Sequence, residues 1–225
     1  MRRRYLLAVI VTLMIAGIIM SQRNKSSNSI VIARLKYNGG GDWYSSRTAL
    51  HNLALFCNKN IGTTIKSEEA IVEASSEDIF LYPYVFMTGH GNAIFNPRDI
   101  QNIRTYLSAG GFLHICDNYG MDKNIRREIK RLFPDKKLRE VPFSHAIYNG
   151  NFNFDQGLPK IHKHEGYPPQ GLGIFDEERL ILFYDYESDL GNGWEDAETY
   201  NDPENIRMEA LKMGANIIQY AFNKD

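Results

Sequence analysis

Three short stretches gather the residue types that chemistry needs. The first is KYNGGGDWYSS, residues 36–46. The successive glycines Gly39, Gly40 and Gly41 let backbone N–H groups turn toward a bound anion or carbonyl. Tyr37 and Asn38 precede them, Asp42 adds a carboxylate, and Trp43 and Tyr44 add aromatic walls. No Gly-Lys-Ser/Thr ends the stretch, so it is not a phosphate-binding P-loop. The second is TGHGN, residues 88–92, where His90 stands between Gly89 and Gly91. An exposed imidazole in such a place serves as acid, base or ligand. The third is CDNYG, residues 116–120, with Cys116, Asp117 and Asn118 in succession. A nucleophile sits on a sharp strand-to-helix turn in several hydrolase folds, which makes Cys116 a question. The neighbouring carboxylate would raise the thiol pKa and weaken the thiolate. Cys116 therefore reads as a small buried apolar residue, and Asp117 as the acid. His90 and Asp117 form the candidate catalytic pair. The candidate ligand-binding residues are Tyr37, Asn38, Gly39, Gly40, Gly41, Asp42, Trp43, Gly89, Gly91, Asn118 and Trp194.

Trp194 comes from a later stretch, DLGNGWED (residues 189–196), whose glycines and tryptophan could close the same cleft. IHKHEG (residues 161–166) sets His162 and His164 two apart beside Glu165. On a strand both imidazoles could meet one metal. Spacing identifies no third ligand, so the segment reads as a solvated loop. Neither a metal nor a cofactor is expected.

These residues need a scaffold, and the hydrophobic pattern supplies one. IVIARL (residues 30–35), YVFM (84–87), FLHIC (112–116) and RLILFYDY (179–186) read as buried strands. IGTTI (61–65) and residues 138–141 read as shorter ones. Helical stripes alternate with them over residues 46–56, from Asn96-Pro97 to about Leu107, over 121–133, and from Asp202-Pro203 onward. Strand–helix alternation at this spacing predicts an α/β fold, a doubly wound and mostly parallel sheet. In such a sheet ligands bind outside the carboxyl ends of the strands, and all three leading stretches leave such ends.

The chain has 225 residues, 43% hydrophobic and 24% charged, with a net charge of −1. That is ordinary globular composition, without the basic field that recruits nucleic acid. Two cysteines are too few for a disulfide framework or a cysteine zinc site. The N-terminus departs from the average: Arg2, Arg3 and Arg4 precede an apolar run over residues 5–20. Sixteen helical residues span about 24 Å, somewhat short of a ~30 Å hydrocarbon core, and bilayer thinning makes up the difference. The arginines stay in the cytoplasm. The expected organisation is a signal-anchor or signal peptide (1–21), a polar linker (22–29) and an α/β domain (30–225). It places the domain on the extracytoplasmic, periplasmic side of an inner membrane that residues 5–20 cross once.

YNGGGDWY, MTGHGN, GGFLHICDNYG, the Phe133-Pro134 step and DLGNGW together resemble the bacterial domain of unknown function family 4159. The resemblance covers about residues 30–222. It implies a flavodoxin-like, class I glutamine amidotransferase-like fold and envelope proteins as partners. An acidic residue is usual in that family where this chain has Cys116, which speaks against a family-wide cysteine nucleophile. The expected function is a membrane-anchored domain binding a small ligand or partner at the carboxyl edge of its sheet. An envelope hydrolase or amidotransferase-like enzyme using His90 and Asp117 is the alternative, and an inert structural component of a membrane complex is a further one.

Overall fold

A computed structural model describes residues 29–223. The arginine cluster, the apolar run and nearly all of the linker lie outside the described residues. Among the described residues no helix is long and apolar enough to cross a membrane.

The core is a mixed, mostly parallel seven-stranded sheet in the order β2-β1-β3-β4-β7-β6-β5. Its strands are β1 (Ala33–Lys36), β2 (Ala70–Glu73), β3 (Tyr84–Met87), β4 (Phe112–Cys116), β5 (Arg139–Glu140), β6 (Gln170–Asp176) and β7 (Arg179–Tyr186). β2, β1, β3, β4 and β7 run parallel, whereas β6 and β5 add an antiparallel edge. The helices are α1 (Ala49–Asn60), α2 (Pro97–Ser108), α3 (Asp122–Leu132), the single turns α4 (Leu190–Gly193) and α5 (Ala197–Tyr200), and α6 (Glu204–Phe222).

Alternation along the buried strands builds two cores. Tyr84 and Phe86 of β3 pack with Leu50 and Leu53 of α1 and with Met213 and Ile217 of α6. Val85 and Met87 face the other way, toward Ile103 and Leu107 of α2 and Ile125 and Ile129 of α3. This is the period-2 geometry of a strand buried on both faces.

Several boundaries follow the expected chemistry. Asn96 caps α2: its side chain accepts from the amides of Arg98 and Asp99, and Asp99 accepts from the amide of Asn96. That reciprocal box, with Pro97 at the first helical position, fixes the helix start.

Others differ. IGTTI is not a strand; only Ile65 makes an isolated parallel bridge, to Ile30. The second strand is instead the partly exposed edge strand β2, in which only Val72 is buried. The first helix begins at Ala49 rather than Ser46, because Ser46 adopts a left-handed φ of 54°. Arg34 enforces that turn. It is 1% exposed and donates to the carbonyls of Ser45 and Ser46 and to the Glu69 carboxylate. β6 has no strand-like composition because Gly171 and Gly173 must lack side chains. A Cβ there would stand 1.9 Å from the Tyr148 hydroxyl and 2.3 Å from Leu180 Cδ1 respectively.

Candidate functional site

β1, β3, β4 and β7 end on one edge, so the loops after Lys36, Met87, Cys116 and Tyr186 meet there. Asn118 ties three of them together. Its Nδ2 donates to Thr88 Oγ1 at 3.1 Å and to Ser45 Oγ at 3.3 Å. Ser46 Oγ, in turn, donates to Asn192 Oδ1 of the loop after β7 at 2.9 Å.

Over β1 and β3, the glycine loop and the His90 loop pack on each other. The Gly41 amide donates to the Asn92 carbonyl at 2.9 Å, and the Ile94 amide to the Asn38 carbonyl at 2.7 Å. Tyr37 is buried, and its hydroxyl donates to the Thr88 carbonyl at 3.1 Å. A Cβ on Gly41 would sit 2.7 Å from the Asn92 carbonyl, and one on Gly89 would sit 2.1 Å from the Tyr37 hydroxyl. The glycines at 39, 41 and 89 thus permit close loop packing, while Gly40 faces open space at φ +89°. Gly91 also has open space around it, and its carbonyl accepts from Asn124 of α3. His90 Nδ1 pairs with Asp42 Oδ2 at 2.9 Å, and the His90 amide also donates to that carboxylate. This pair is half-exposed. Trp43 is partly buried and packs edge-on against the exposed ring of Tyr44.

Over β4 and β7 lies a denser cluster. Asp117 is buried, and its Oδ2 accepts the Glu187 amide at 3.2 Å. Burial pushes its pKa up to about 7, the Glu187 N–H opposing and the Asp185 charge adding to the rise. Asp189 is wholly buried and receives His162 Nδ1 at 2.8 Å, His164 Nε2 at 3.0 Å and Asn192 Nδ2 at 2.7 Å. Burial alone would raise its pKa, but the two imidazoles outweigh burial and hold it below the usual carboxylate range. Both histidines are raised in return, chiefly by their hydrogen bonds to Asp189. His162 also donates from Nε2 to Asp202, and Lys160 pairs with the buried Glu187. Glu187 and Asp189 have left-handed φ values of 58° and 64°. Such backbone costs about 1–3 kcal/mol per residue and collects where a structure serves function.

Beneath this cluster, His114 lies fully buried between the Tyr84 hydroxyl at 2.7 Å and Asp185 Oδ2 at 3.1 Å. Burial pushes His114 down to about 3 and Asp185 up. Asp185 Oδ1 accepts the Asp117 amide at 3.0 Å, so this network orients the start of the Asp117 loop. Cys116 is buried, burial pushes its thiol well up, and its Sγ accepts the Gly191 amide at 3.1 Å. It is a packing residue with a structural hydrogen bond.

The expected pair does not meet through a hydrogen bond: His90 belongs with Asp42, and Asp117 with the Glu187 amide. Trp194 is no cleft wall. It is fully buried against Phe86 and His114, and its indole donates to the Ala210 carbonyl at 2.8 Å. The IHKHEG segment is not a free solvated loop, since both imidazoles converge on Asp189. The H-x-H spacing was the available sign; its acidic partner lies 25 residues further along the chain from His164. Among the described residues no group of three or more His, Cys, Asp or Glu is arranged to hold a metal ion.

A cavity of about 700 Å³ opens at the opposite edge among Ile30, Phe80, Leu81, Tyr106 and Phe222. It lacks the convergent polar groups that a specific site needs. The cluster of interacting titratable side chains lies instead at the carboxyl edge.

Residues 31–222 match the family described as domain of unknown function (DUF4159). The chain belongs to that family. Among curated proteins nothing matches it. Membership of the DUF4159 family assigns no reaction, so function rests on the geometry of the edge.

Proposed function

We propose that this DUF4159 chain is a membrane-anchored extracytoplasmic domain that binds a small polar ligand over the ends of β4 and β7. One observation carries the ligand site. Of the five buried side-chain polar atoms without a hydrogen-bond partner among the described residues, four belong to Asp117, Asn118, His164 and Asp189. An unmet buried polar group costs about 1–3 kcal/mol, and gathering four in one place makes sense when a ligand completes them. The strand order supports a doubly wound, glutamine amidotransferase-like arrangement. In it ligands lie outside the carboxyl ends of the parallel strands, β4 and β7 among them.

The site test is a thermal-shift screen of polar metabolites on the wild type, Asp117→Asn and His90→Ala. Binding hits raise the melting temperature by mass action. Asp117→Asn, nearly isosteric, should abolish the shift, and His90→Ala should leave it largely intact. Hits that survive Asp117→Asn sink the β4–β7 site, and loss in His90→Ala alone moves it to β1 and β3.

A catalytic reading has its own support. Asp117 titrates near neutrality while Asp189 is held ionised, and environments that push two carboxyls apart supply an acid and a base. Asp117 would be the acid of an envelope hydrolase, and His90 a more distant accessory.

The anchor rests on the arginine cluster and the apolar run over residues 5–20. The chain should sediment with membranes, and protease added to spheroplasts should digest it. Recovery of intact, full-length chain in the cytosolic fraction would defeat the topology.

A further inference from the structure

We propose that the ligand of the β4–β7 site is a neutral saccharide, bound by buried polar atoms at its floor and tyrosine rings at its rim. This rests on the ligand-site reading above and adds the chemical class.

The unpartnered atoms set the polarity. Asp117 Oδ1, Asn118 Oδ1 and Asp189 Oδ1 are oxygens. The fourth, His164 Nδ1, donates when the imidazole is protonated. Asp189 and the Asn118 amide oxygen accept, and Asp117, with its pKa pushed up to about 7, can donate or accept, so the site asks for a ligand that does both, as hydroxyls do. A phosphate or carboxylate ligand offers acceptors and would face oxygens.

The charges are already matched. Glu187 pairs with Lys160, Asp189 with His162 and His164, and Asp202 with His162. With both imidazoles protonated, these three carboxylates face three cations, and Asp117, pushed up to about 7 by burial, carries its full charge only above neutrality, which leaves no large uncompensated field for a cationic ligand. Donor geometry also disfavours a metal, since no set of three ligating side chains is assembled among the described residues. A neutral ligand carrying several hydroxyls satisfies the oxygens without upsetting this balance.

The rim is aromatic. Tyr119 is 63% exposed, and its ring lies edge-on to His164 with centroids 6.3 Å apart. Tyr200 is 44% exposed and stands edge-on to His162 at 4.9 Å. Tyr167 is 57% exposed, and its carbonyl accepts from Lys160. The exposed rings of Tyr119 and Tyr200 beside one cluster of buried polar atoms form an amphipathic surface, with the Tyr200 hydroxyl anchored on Asn192. A pyranose has the matching character: C–H faces that stack on rings, and equatorial hydroxyls that reach carboxylate and amide oxygens.

The test titrates chitotriose and cellotriose into the full-length chain in a sugar-free zwitterionic detergent, followed by tyrosine fluorescence and calorimetry. A second arm titrates polyamines, nucleosides, amino acids and inorganic phosphate. Saturable binding of a trisaccharide is expected, weakened about tenfold, or ~1.4 kcal/mol, by Tyr119→Ala with no change in melting temperature. Asp189→Asn should weaken it similarly, because Asn tolerates the left-handed backbone at that position. Trisaccharide binding unaffected by either variant overturns the proposal. Asp117-dependent binding only in the second arm overturns the saccharide and leaves the ligand site standing. Absence of binding in both arms removes both.

Discussion

Trp194→Ala is expected to destabilise the domain by about 3–5 kcal/mol, the usual cost of emptying a buried aromatic site. Trp194 is 0% exposed and packs with Phe86 at 5.4 Å and His114 at 5.7 Å between ring centroids. α6 is shaped around it: a Cβ on Gly214 would come within 2.8 Å of the indole and 2.6 Å of Leu53 Cδ1. The truncation therefore opens a void where α1, α6 and β3 meet, and removes the indole N–H bond to the Ala210 carbonyl. For a domain of this size the melting temperature should fall by roughly 10 °C. Trp194→Phe should cost less, since the volume is mostly kept and only the hydrogen bond is lost. Urea melts of the three proteins decide the matter. A Trp194→Ala variant that melts like the wild type would return the residue to the cleft and contradict its burial.

The case of Trp194 says what a linear reading can see. Glycine, acid and tryptophan together in DLGNGW look the same whether they line a ligand or pack a helix crossing. The buried strands YVFM, FLHIC and RLILFYDY were legible because apolar, β-branched and aromatic residues run together in them. The capping box at Asn96 and Asp99 was legible because its chemistry is local. β2 and β6 were not, although the short edge strand β5 fell inside the expected 138–141. β2 buries one side chain of four, and β6 keeps its place through glycines whose reason lies in Tyr148 and Leu180. Propensity carries little information where tertiary packing dictates the residue.

The site divides the same way. The convergence of the loops after β1, β3 and β4 follows from the parallel sheet, so Asp42, His90, Asp117 and Asn118 could be named in advance. The pairing within that edge could not. Asp189 collects His162 and His164 across a segment of irregular chain, and Lys160 reaches Glu187 from the same segment. None of these contacts has a fixed sequence spacing. The expectation of a glycine loop offering free backbone donors meets an exception at Gly41. The Gly41 amide is taken by Asn92, and the close approach of the two loops explains the glycines at 39, 41 and 89.

Asp117 should make the domain lose stability as pH rises from about 4 to about 7, by a few kcal/mol relative to Asp117→Asn. The sign follows from burial. In the folded chain the carboxyl titrates at about 7, whereas in the unfolded chain an aspartate titrates near 3.9. Between these values the folded state holds a proton that the unfolded state has released. Stability therefore falls with rising pH across that window and levels off above it. The groups facing Asp117 are Asp185 and Asp122, which raise its pKa, and His164 and the Glu187 amide, which lower it. His162 and His164 add a slope of the same sign: their raised pKa values give stability below the unfolded value of about 6.5 that is lost as pH climbs through the folded ones. Those contributions occur in both proteins and cancel to first order in the difference. Denaturant melts of the wild type and Asp117→Asn at pH 4, 5.5, 7 and 8 isolate the aspartate. The gap should open in favour of the asparagine variant between pH 4 and 7 and stay constant beyond. A gap that is flat, or that closes with rising pH, would mean that Asp117 is ionised throughout. Its unpartnered oxygen would then belong to a fixed anion, and the acid role in the catalytic reading would be lost.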